Sequence, residues 1–424
     1  MTPQQIRILD KWLGCPACAL LSIFESIRRL LPKEVQQPQK VLFVKLIEMG
    51  STVLAAPSFT EAINRVGKEN VFLLLFSRNR AIADLMGLLP AENIIEVDDQ
   101  SLVRFGATLL SALRRIRREK IDTAIDLEGL TRASAIITWL TGARIRVGYF
   151  NFSAEGPYRG RLFNRELNYN FQRHVACSFL AMTRAAFLAS PQLPLLKESV
   201  TLRTFKLPKF IATPEDKRVF SAKIERTAGA AIKRPIIILN PNCSDLLPLR
   251  RWPSERFIQL GKLILGNDPS ATVVISGAPD EKAAGLEIAR AIDPTGQRCL
   301  SLAGETSFRE LLVLQSISDV LVSNDSGPCH FAALTDIAVV SLFGPETPQL
   351  YGPLGKSVRS ISADFACSPC VNMLNHRFSP CRDNRCMHAI SVEQVYAALM
   401  DLIDARTSYE PVTQAPKDQD RQDI

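Results

Sequence analysis

Short apolar runs alternate with longer amphipathic stretches along most of this chain. The runs Lys40–Lys45, Val71–Phe76, Ile94–Val97, Ile121–Leu127 and Arg144–Tyr149 are nearly continuous in apolar residues, the pattern of strands buried on both faces. Between them Val53–Arg65, Arg80–Leu88, Leu102–Arg118 and Ala133–Leu140 repeat apolar residues at helical spacing. Residues 150–210 are less regular, with one helix expected over His174–Leu188 and an exit marked by Pro191, Pro194 and Pro208. The alternation then restarts. Strands are expected at Pro235–Leu239, Val273–Ser276, Val320–Ser323 and Val339–Phe343, with helices at Pro214–Ala228, Glu255–Leu265, Asp280–Ile292 and Ser307–Ser316 among them. A last helix, Val392–Ala405, leads into a polar tail.

The pattern predicts an α/β protein of two doubly wound parallel lobes facing across a cleft. Its expected units are a helical extension (1–38), a first lobe (39–210), a second lobe (211–391), a C-terminal helix (392–406) and a disordered tail (407–424). In the second lobe the run from Asp319 to Gly355 reads as one strand–turn–helix–strand unit, with a helix expected over His330–Thr335. Pro328 is preset for a first helical turn, and Ser326 or Gly327 can cap it. Such a helix start suits a phosphate, or nothing at all.

Composition narrows the class. The chain has 424 residues, 46% hydrophobic and 22% charged, which is globular and too long for one core. No apolar run reaches the length of a membrane span, and the start lacks the ordered parts of a secretion signal, so a location inside the cell is expected. A formal charge of +8 invites an anionic partner. Nucleic acid is the weakest candidate, because no basic stretch is interleaved with aromatics.

The N-terminal extension is amphipathic and basic. Ile6, Leu9, Trp12 and Leu13 share a face off which Arg7 and Lys11 lie, and Leu20, Leu21, Phe24, Ile27, Leu30 and Leu31 continue the stripe beside Arg28, Arg29 and Lys33. It suits a membrane interface or packing on its own protein equally well. Cys15 and Cys18 read as core cysteines. Cys367, Cys370, Cys381 and Cys386 are spaced like zinc ligands, with His376 and His388 nearby, and either a structural zinc or free thiols would fit.

Ligands of open parallel sheets bind beyond the carboxyl ends of the strands. Those ends are Lys45 to Thr52, Asp126 to Arg132 and the loop after Tyr149 in the first lobe. In the second they are Asn240 to Trp252, Gly277 to Glu281, Gly304 to Thr306, Asn324 to His330 and Gly344 to Pro348. The first set is acidic and the second rich in small polar residues and arginine, as an acceptor facing a nucleotide donor requires. No G-x-G-x-x-G follows the first strand. The run Gly352–Ser357 has Leu350 where a Walker A loop needs glycine.

Eight segments in fixed order, VKLIEMGSTVLAAP (44–57), DLEGLTRASAI (126–136), GARIRVGY (142–149), ILNPNCSDLLPLRRWPSERF (238–257), ISGAPDEK (275–282), LAGETSFREL (302–311), SDVLVSNDSGPCHFAA (318–333) and VVSLFGPETPQLYGP (339–353), carry a family resemblance. The chain resembles glycosyltransferase family 9, the lipopolysaccharide heptosyltransferases and their relatives, of the two-Rossmann-domain GT-B fold. The resemblance implies inverting transfer without a catalytic metal, from a nucleotide sugar, with ADP-heptose favoured. The acceptor would be a lipid-linked saccharide at the cytoplasmic face of the inner membrane, with the protein peripheral to it. The family's usual catalytic Asp follows the glycine of the first motif, where this chain has Ser51. Glu48 is then the expected base, with Glu128 and Asp126 in reserve and Lys45, Ser51 and Arg132 on the acceptor side. Donor binding falls to Asn242, Ser244, Arg250, Arg251, Glu281, Asp325, Ser326, Gly327 and His330. An inactive nucleotide-sugar-binding protein of this fold and a transferase for another nucleotide sugar are the alternatives; motif order speaks against a two-domain epimerase.

Overall fold

The computed structural model describes residues 8, 10–30, 37–129, 131–150, 158–190, 192, 196–202, 205–244, 247–375 and 377–407. Ile6, Arg7, Leu9, Leu31, Lys33, Pro191, Pro194, His376 and the polar tail from 408 lie outside them. Two six-stranded sheets form the frame. The first contains β1 (Val41–Val44), β2 (Val71–Phe76), β3 (Ile94–Val97), β4 (Thr123–Asp126), β5 (Ile145–Tyr149) and β6 (Arg165–Leu167), in the order β3-β2-β1-β4-β5-β6. The second contains β7 (Ile236–Asn240), β8 (Thr272–Ile275), β9 (Cys299–Ser301), β10 (Val320–Asn324), β11 (Ala338–Phe343) and β12 (Val358–Ser362), in the order β12-β11-β10-β7-β8-β9. All pairings are parallel, and both sheets have the same winding. Strand order reverses between β1 and β4 and between β7 and β10, which fixes where a ligand can enter each lobe.

Continuous apolar runs become buried parallel strands because alternate side chains serve two layers. Val41, Phe43, Leu73 and Ile125 enter one core, and Leu42, Val44, Phe72 and Leu74 the other. The three strands without an expectation, β6, β9 and β12, are all sheet edges. Two have only three residues, and β12 is mostly exposed, so none carries the apolar run that marks a central strand. Two expected helices are broken. Val53–Arg65 divides into Met49–Leu54 and Ala56–Val66, with Pro57 in the first turn of the second. His330–Thr335 is replaced by a helix over Gly327–Phe331 and a tight turn over Ala332–Leu334.

The lobes are not separable at residue 210, since the Phe210 N–H already donates to the Leu334 carbonyl at 2.7 Å. Phe331, Leu334, Phe343 and Tyr351 of the second lobe share a core with Val53, Phe59, Tyr149 and Tyr169 of the first. Polar contacts seal the seam. The Tyr169 and Tyr351 hydroxyls lie 3.2 Å apart, and His174 Nε2 lies 2.8 Å from the Gly352 carbonyl. The last helix, Val392–Thr407, is part of the second lobe: Val392, Val395, Leu399 and Leu402 are buried against its sheet.

The N-terminal helix Gly14–Arg29 docks on the helix Arg132–Leu140. Its inner face is not the apolar stripe. Cys18 and Glu25 face inward, and Glu25 is fully buried 2.6 Å from the equally buried Arg146, with the Trp139 indole N–H donating to it at 3.1 Å. Leu20, Ile23, Phe24 and Ile27 face out, between 54% and 60% exposed. A buried pair broken on one side leaves an uncompensated charge. Glu25→Ala should therefore lower the unfolding free energy by about 3–5 kcal/mol, read from urea denaturation of the full chain.

Candidate active site

The turn after β1 carries the first-lobe site. Glu128 holds that turn: it lies 2.9 Å from Lys45 Nζ and accepts the Leu46 and Ile47 N–H groups at 2.5 and 3.0 Å. Asp126 accepts the Glu128 N–H and the Ser134 hydroxyl, and it is ion-paired with Arg159. Burial pushes the Asp126 carboxyl up to about 6, against the opposing charge of Arg159. Arg132 is also buried, paired with Asp10 at 2.9 Å and donating to the Tyr158 carbonyl. Asp126, Glu128, Lys45 and Arg132 are thus brought to the right end of the sheet but committed to each other, to the backbone and to the N-terminal segment. This corrects the expectation that they face substrate. One Glu128 oxygen, Oε1, receives the Lys45 ammonium and both N–H groups, which ties that side chain to the turn.

Glu48 is the exception. It precedes the helix Met49–Leu54, and its side chain stays 34% exposed at the cleft. Ser51, one turn on, donates its hydroxyl to the Glu48 carboxylate at 3.2 Å. The serine that replaces the expected aspartate therefore orients the neighbouring acid.

In the second lobe, β10 delivers Asn324, Asp325, Ser326 and Gly327 to the cleft. Asn324 ties this turn to the Trp252 segment, accepting the Trp252 N–H at 2.9 Å and donating to the Pro241 carbonyl at 2.8 Å. That lock places Arg250 beside Asp325, 3.4 Å away. Arg251 points elsewhere, donating to the Cys243 carbonyl at 3.1 Å. The helix Gly327–Phe331 has only five residues, so the fixed positive charge here is mainly the Arg250 guanidinium rather than a helix dipole. Ser326 pairs with Ser323 at 3.0 Å. Glu281 accepts the Ala278 N–H at 2.6 Å beside Asn242 and Gly277, and burial raises its carboxyl. Ser244 lies exposed at the rim. His330 is buried 4.0 Å from Asp325, and burial pushes it down to about 3, so it is neutral and packs against Gly50 of the first lobe.

Two residues complete the site that sequence reasoning passed over. Glu346, just past β11, is 3% exposed, and both its carboxyl oxygens lack a hydrogen-bond partner. Burial, then the nearby Asp325, push it up to about 8 against the pull of Arg250. Asp325 is raised as well, chiefly by burial, so this pair of carboxyls holds a proton near neutrality. Arg377, from the cysteine-rich segment, is ion-paired with Glu48 across the cleft, lies 3.5 Å from Glu346 and stacks 5.1 Å over the Tyr351 ring. The strand end Gly344–Pro348 marked the place of Glu346. Nothing in the local sequence marks that carboxyl as buried or Arg377 as interlobe.

Burial raises the Cys386 thiol, and Cys370, Cys367 and Cys381 lie near enough to add to that rise. Cys367 and Cys381 are exposed, Cys386 is buried, and the Cys381 thiol donates to the Asp383 carbonyl. Among the described residues no three His, Cys, Asp or Glu side chains converge as a cation site. The segment is instead shaped by Asn372 and Asn375, which cap its turns.

The Glu346 proton gives a pH signature. Between its ordinary 4.5 and about 8 the unfolded carboxyl is ionised while the folded one stays neutral, so stability falls as pH rises. Glu346→Gln should flatten that slope, by up to about 1 kcal/mol per pH unit, in urea melts across the range.

Comparison with known proteins fits this geometry. A model described as glycosyltransferase family 9 (heptosyltransferase) matches residues 109–378. Lipopolysaccharide heptosyltransferase 2 of Salmonella typhimurium is 34% identical over 130 residues, 30% of this chain and 36% of that one, so the match spans about a third of that relative. Lipooligosaccharide heptosyltransferase 2 of Haemophilus influenzae is 28% identical over 244 residues, 56% of this chain and 64% of that one. The solved structure of the E. coli ADP-heptose LPS heptosyltransferase II superposes with a TM-score of 0.66 at 19% identity, covering 87% of this chain and 99% of that one, a likeness of fold. With the family model spanning well over half of its length and the two-lobed frame matched throughout, this chain belongs to glycosyltransferase family 9.

Proposed function

We propose that the protein is an inverting glycosyltransferase that moves heptose from ADP-heptose onto a lipopolysaccharide-core or related glycolipid acceptor. One observation carries the reading. A half-exposed carboxylate, Glu48, stands in one lobe opposite the Arg250–Asp325 turn of the other, with Arg377 and Glu346 between them. Its relatives' names, and the ADP-heptose in the name of the superposed structure, support the choice of sugar donor.

In the proposed step the acceptor hydroxyl oxygen forms a bond to the anomeric carbon from the face opposite the leaving group. The bond from that carbon to the β-phosphate oxygen breaks, and its electron pair leaves with the nucleoside diphosphate. The hydroxyl proton passes to Glu48, oriented by Ser51. Arg250, fixed by Asp325, offers a planar fork to the departing charge, and Glu281 beside Asn242 offers a carboxylate to ribose hydroxyls. Such a guanidinium supplies the charge compensation that a metal ion supplies in other transferases. Glu48→Gln should lower turnover at least 100-fold while the chain still binds ADP, measured as ADP release with acceptor present; near-normal turnover would refute Glu48 as base.

We also propose attachment to the cytoplasmic face of the inner membrane. No helix among the described residues is long and apolar enough to cross a membrane. Leu20, Ile23, Phe24 and Ile27, with Trp12 at 72% exposure, form an outward apolar face beside Arg28 and Arg29. Exposed Arg114, Arg117 and Arg118 lie on the helix Leu102–Arg118, which packs on the same side of the first sheet. Large apolar groups and cations on one side suit an anionic lipid surface. Replacing Phe24 and Ile27 by Ser should cut co-sedimentation with phosphatidylglycerol-containing vesicles at least tenfold. Undiminished binding would reject this face as the membrane contact.

A further inference from the structure

Arg377 is an expensive residue to place where it is. Its backbone is left-handed, at φ +54°, a conformation that side-chain-bearing residues adopt only when their surroundings impose it. Those surroundings are built for the purpose. The Arg377 N–H donates to the Asn372 carbonyl at 2.9 Å, and the Asn375 amide donates to the Cys370 carbonyl at 3.0 Å. The segment is also stitched to the strand end that bears Glu346: the Val371 N–H donates to the Pro345 carbonyl at 2.9 Å, and Ser368 donates to the Gly344 carbonyl at 2.6 Å. The cysteine-rich segment therefore acts as a scaffold that aims one guanidinium into the cleft.

That guanidinium is incompletely used. Its Nε–H is buried without a hydrogen-bond partner, and so is the Nε–H of Arg250. The two cations flank the same Glu346 carboxyl, which Arg377 approaches to 3.5 Å and whose ionisation Arg250 favours. Two guanidinium groups, each with a buried spare Nε–H, flank one carboxyl that burial keeps protonated near neutrality, so their charge is offset only by Glu48 and Asp325 at the two ends of the cluster. A diphosphate carries more charge and more acceptor oxygens than the single carboxylate, Glu48, that Arg377 now holds.

We propose that Arg377 is a second cation for the leaving diphosphate, and that it exchanges Glu48 for the phosphate oxygens when donor binds, so that the donor itself releases the base. The proposal rests on the reading of the Arg250–Asp325 turn as the diphosphate site. It gives an order to the reaction. Without donor, Glu48 is held in the ion pair with Arg377; with donor, the pair opens and the carboxylate faces the acceptor hydroxyl. The ion pair also draws the two lobes together, so exchange couples donor binding to the arrangement of the cleft.

The exchange predicts opposite effects for the two partners, which a structural role alone does not. Calorimetric titration of the full chain with ADP and with inorganic pyrophosphate is the test. Arg377→Gln should weaken both at least tenfold, as loss of a charge-assisted contact does. Glu48→Gln should tighten both about threefold or more, because the competing carboxylate is gone. The double variant should match Arg377→Gln, since Glu48 competes only through Arg377. An Arg377→Gln chain that binds both ligands as tightly as the unaltered one overturns the proposal. So does a Glu48→Gln chain of unchanged or weakened affinity, a variant that retains Arg377 and so does not depend on Arg377→Gln folding. Binding of pyrophosphate without ADP refutes ADP as the nucleotide and leaves the exchange to stand or fall on the pyrophosphate affinities. Binding of neither by the unaltered chain overturns the donor site and the exchange together.

Discussion

The lobes of this protein meet where two residues have no side chain. A Cβ on Gly50 would sit 2.7 Å from His330 Cδ2, and one on Gly129 would sit 1.7 Å from Met373 Cε. Both glycines lie beyond the carboxyl ends of first-lobe strands, Gly50 at the start of the helix Met49–Leu54, and both partners come from the second lobe or the segment docked on it. Close approach at these points brings the turn bearing Glu48 against the turn bearing Asp325. His330 is therefore the wedge on which the cleft closes, and its burial keeps it neutral, as a packed interface requires.

Desolvation then decides the chemistry of what is trapped there. Glu48, Arg377, Glu346, Arg250 and Asp325 form a line in which acids and guanidinium groups alternate across the cleft. Against burial, Asp325 keeps Arg250 charged, and burial lowers Arg377 only to about 10. Burial of Asp325 and Glu346, with the nearness of Asp325 adding to it at Glu346, favours retention of a proton. The acids nearest the first sheet have a different task. Asp126 and Glu128 shape the turn after β1 by accepting backbone and hydroxyl donors, which leaves Glu48 as the half-exposed acid of that wall. Polarity is also inverted in the helix Gly14–Arg29, where a carboxylate anchors the helix and the large apolar side chains remain outside.

The eight interior strands, and β3 at one edge, were legible from their apolar runs, because a strand buried on both faces must be apolar along its length, a property of consecutive residues. The exact span of Leu102–Arg118 was legible for a related reason: Ser101 accepts the Arg104 N–H and starts the helix locally. The edge strands β6, β9 and β12 were not, since an edge needs no such run. The site was legible as a set of strand ends, and its members Glu48, Arg250, Asp325 and Glu281 follow from position on the sheet. Their division of labour was not. Sequence ranked Glu48 ahead of Glu128 by its place in the first motif, and only the fold shows Glu128 occupied by the Lys45 ammonium and two N–H groups at 2.5 to 3.0 Å.

By itself, then, the order of residues determined the two wound sheets, the family and the loops that surround the ligand, because each depends on local periodicity or on motifs a few residues long. Tertiary structure alone decided which charges face each other. Arg377 reaches Glu48 across 329 positions of sequence, and Glu346 acquires its proton from the dielectric of a cleft that no single segment encloses. Burial and interlobe pairing are properties of the assembled fold, and they set the protonation and reach on which the proposed transfer depends.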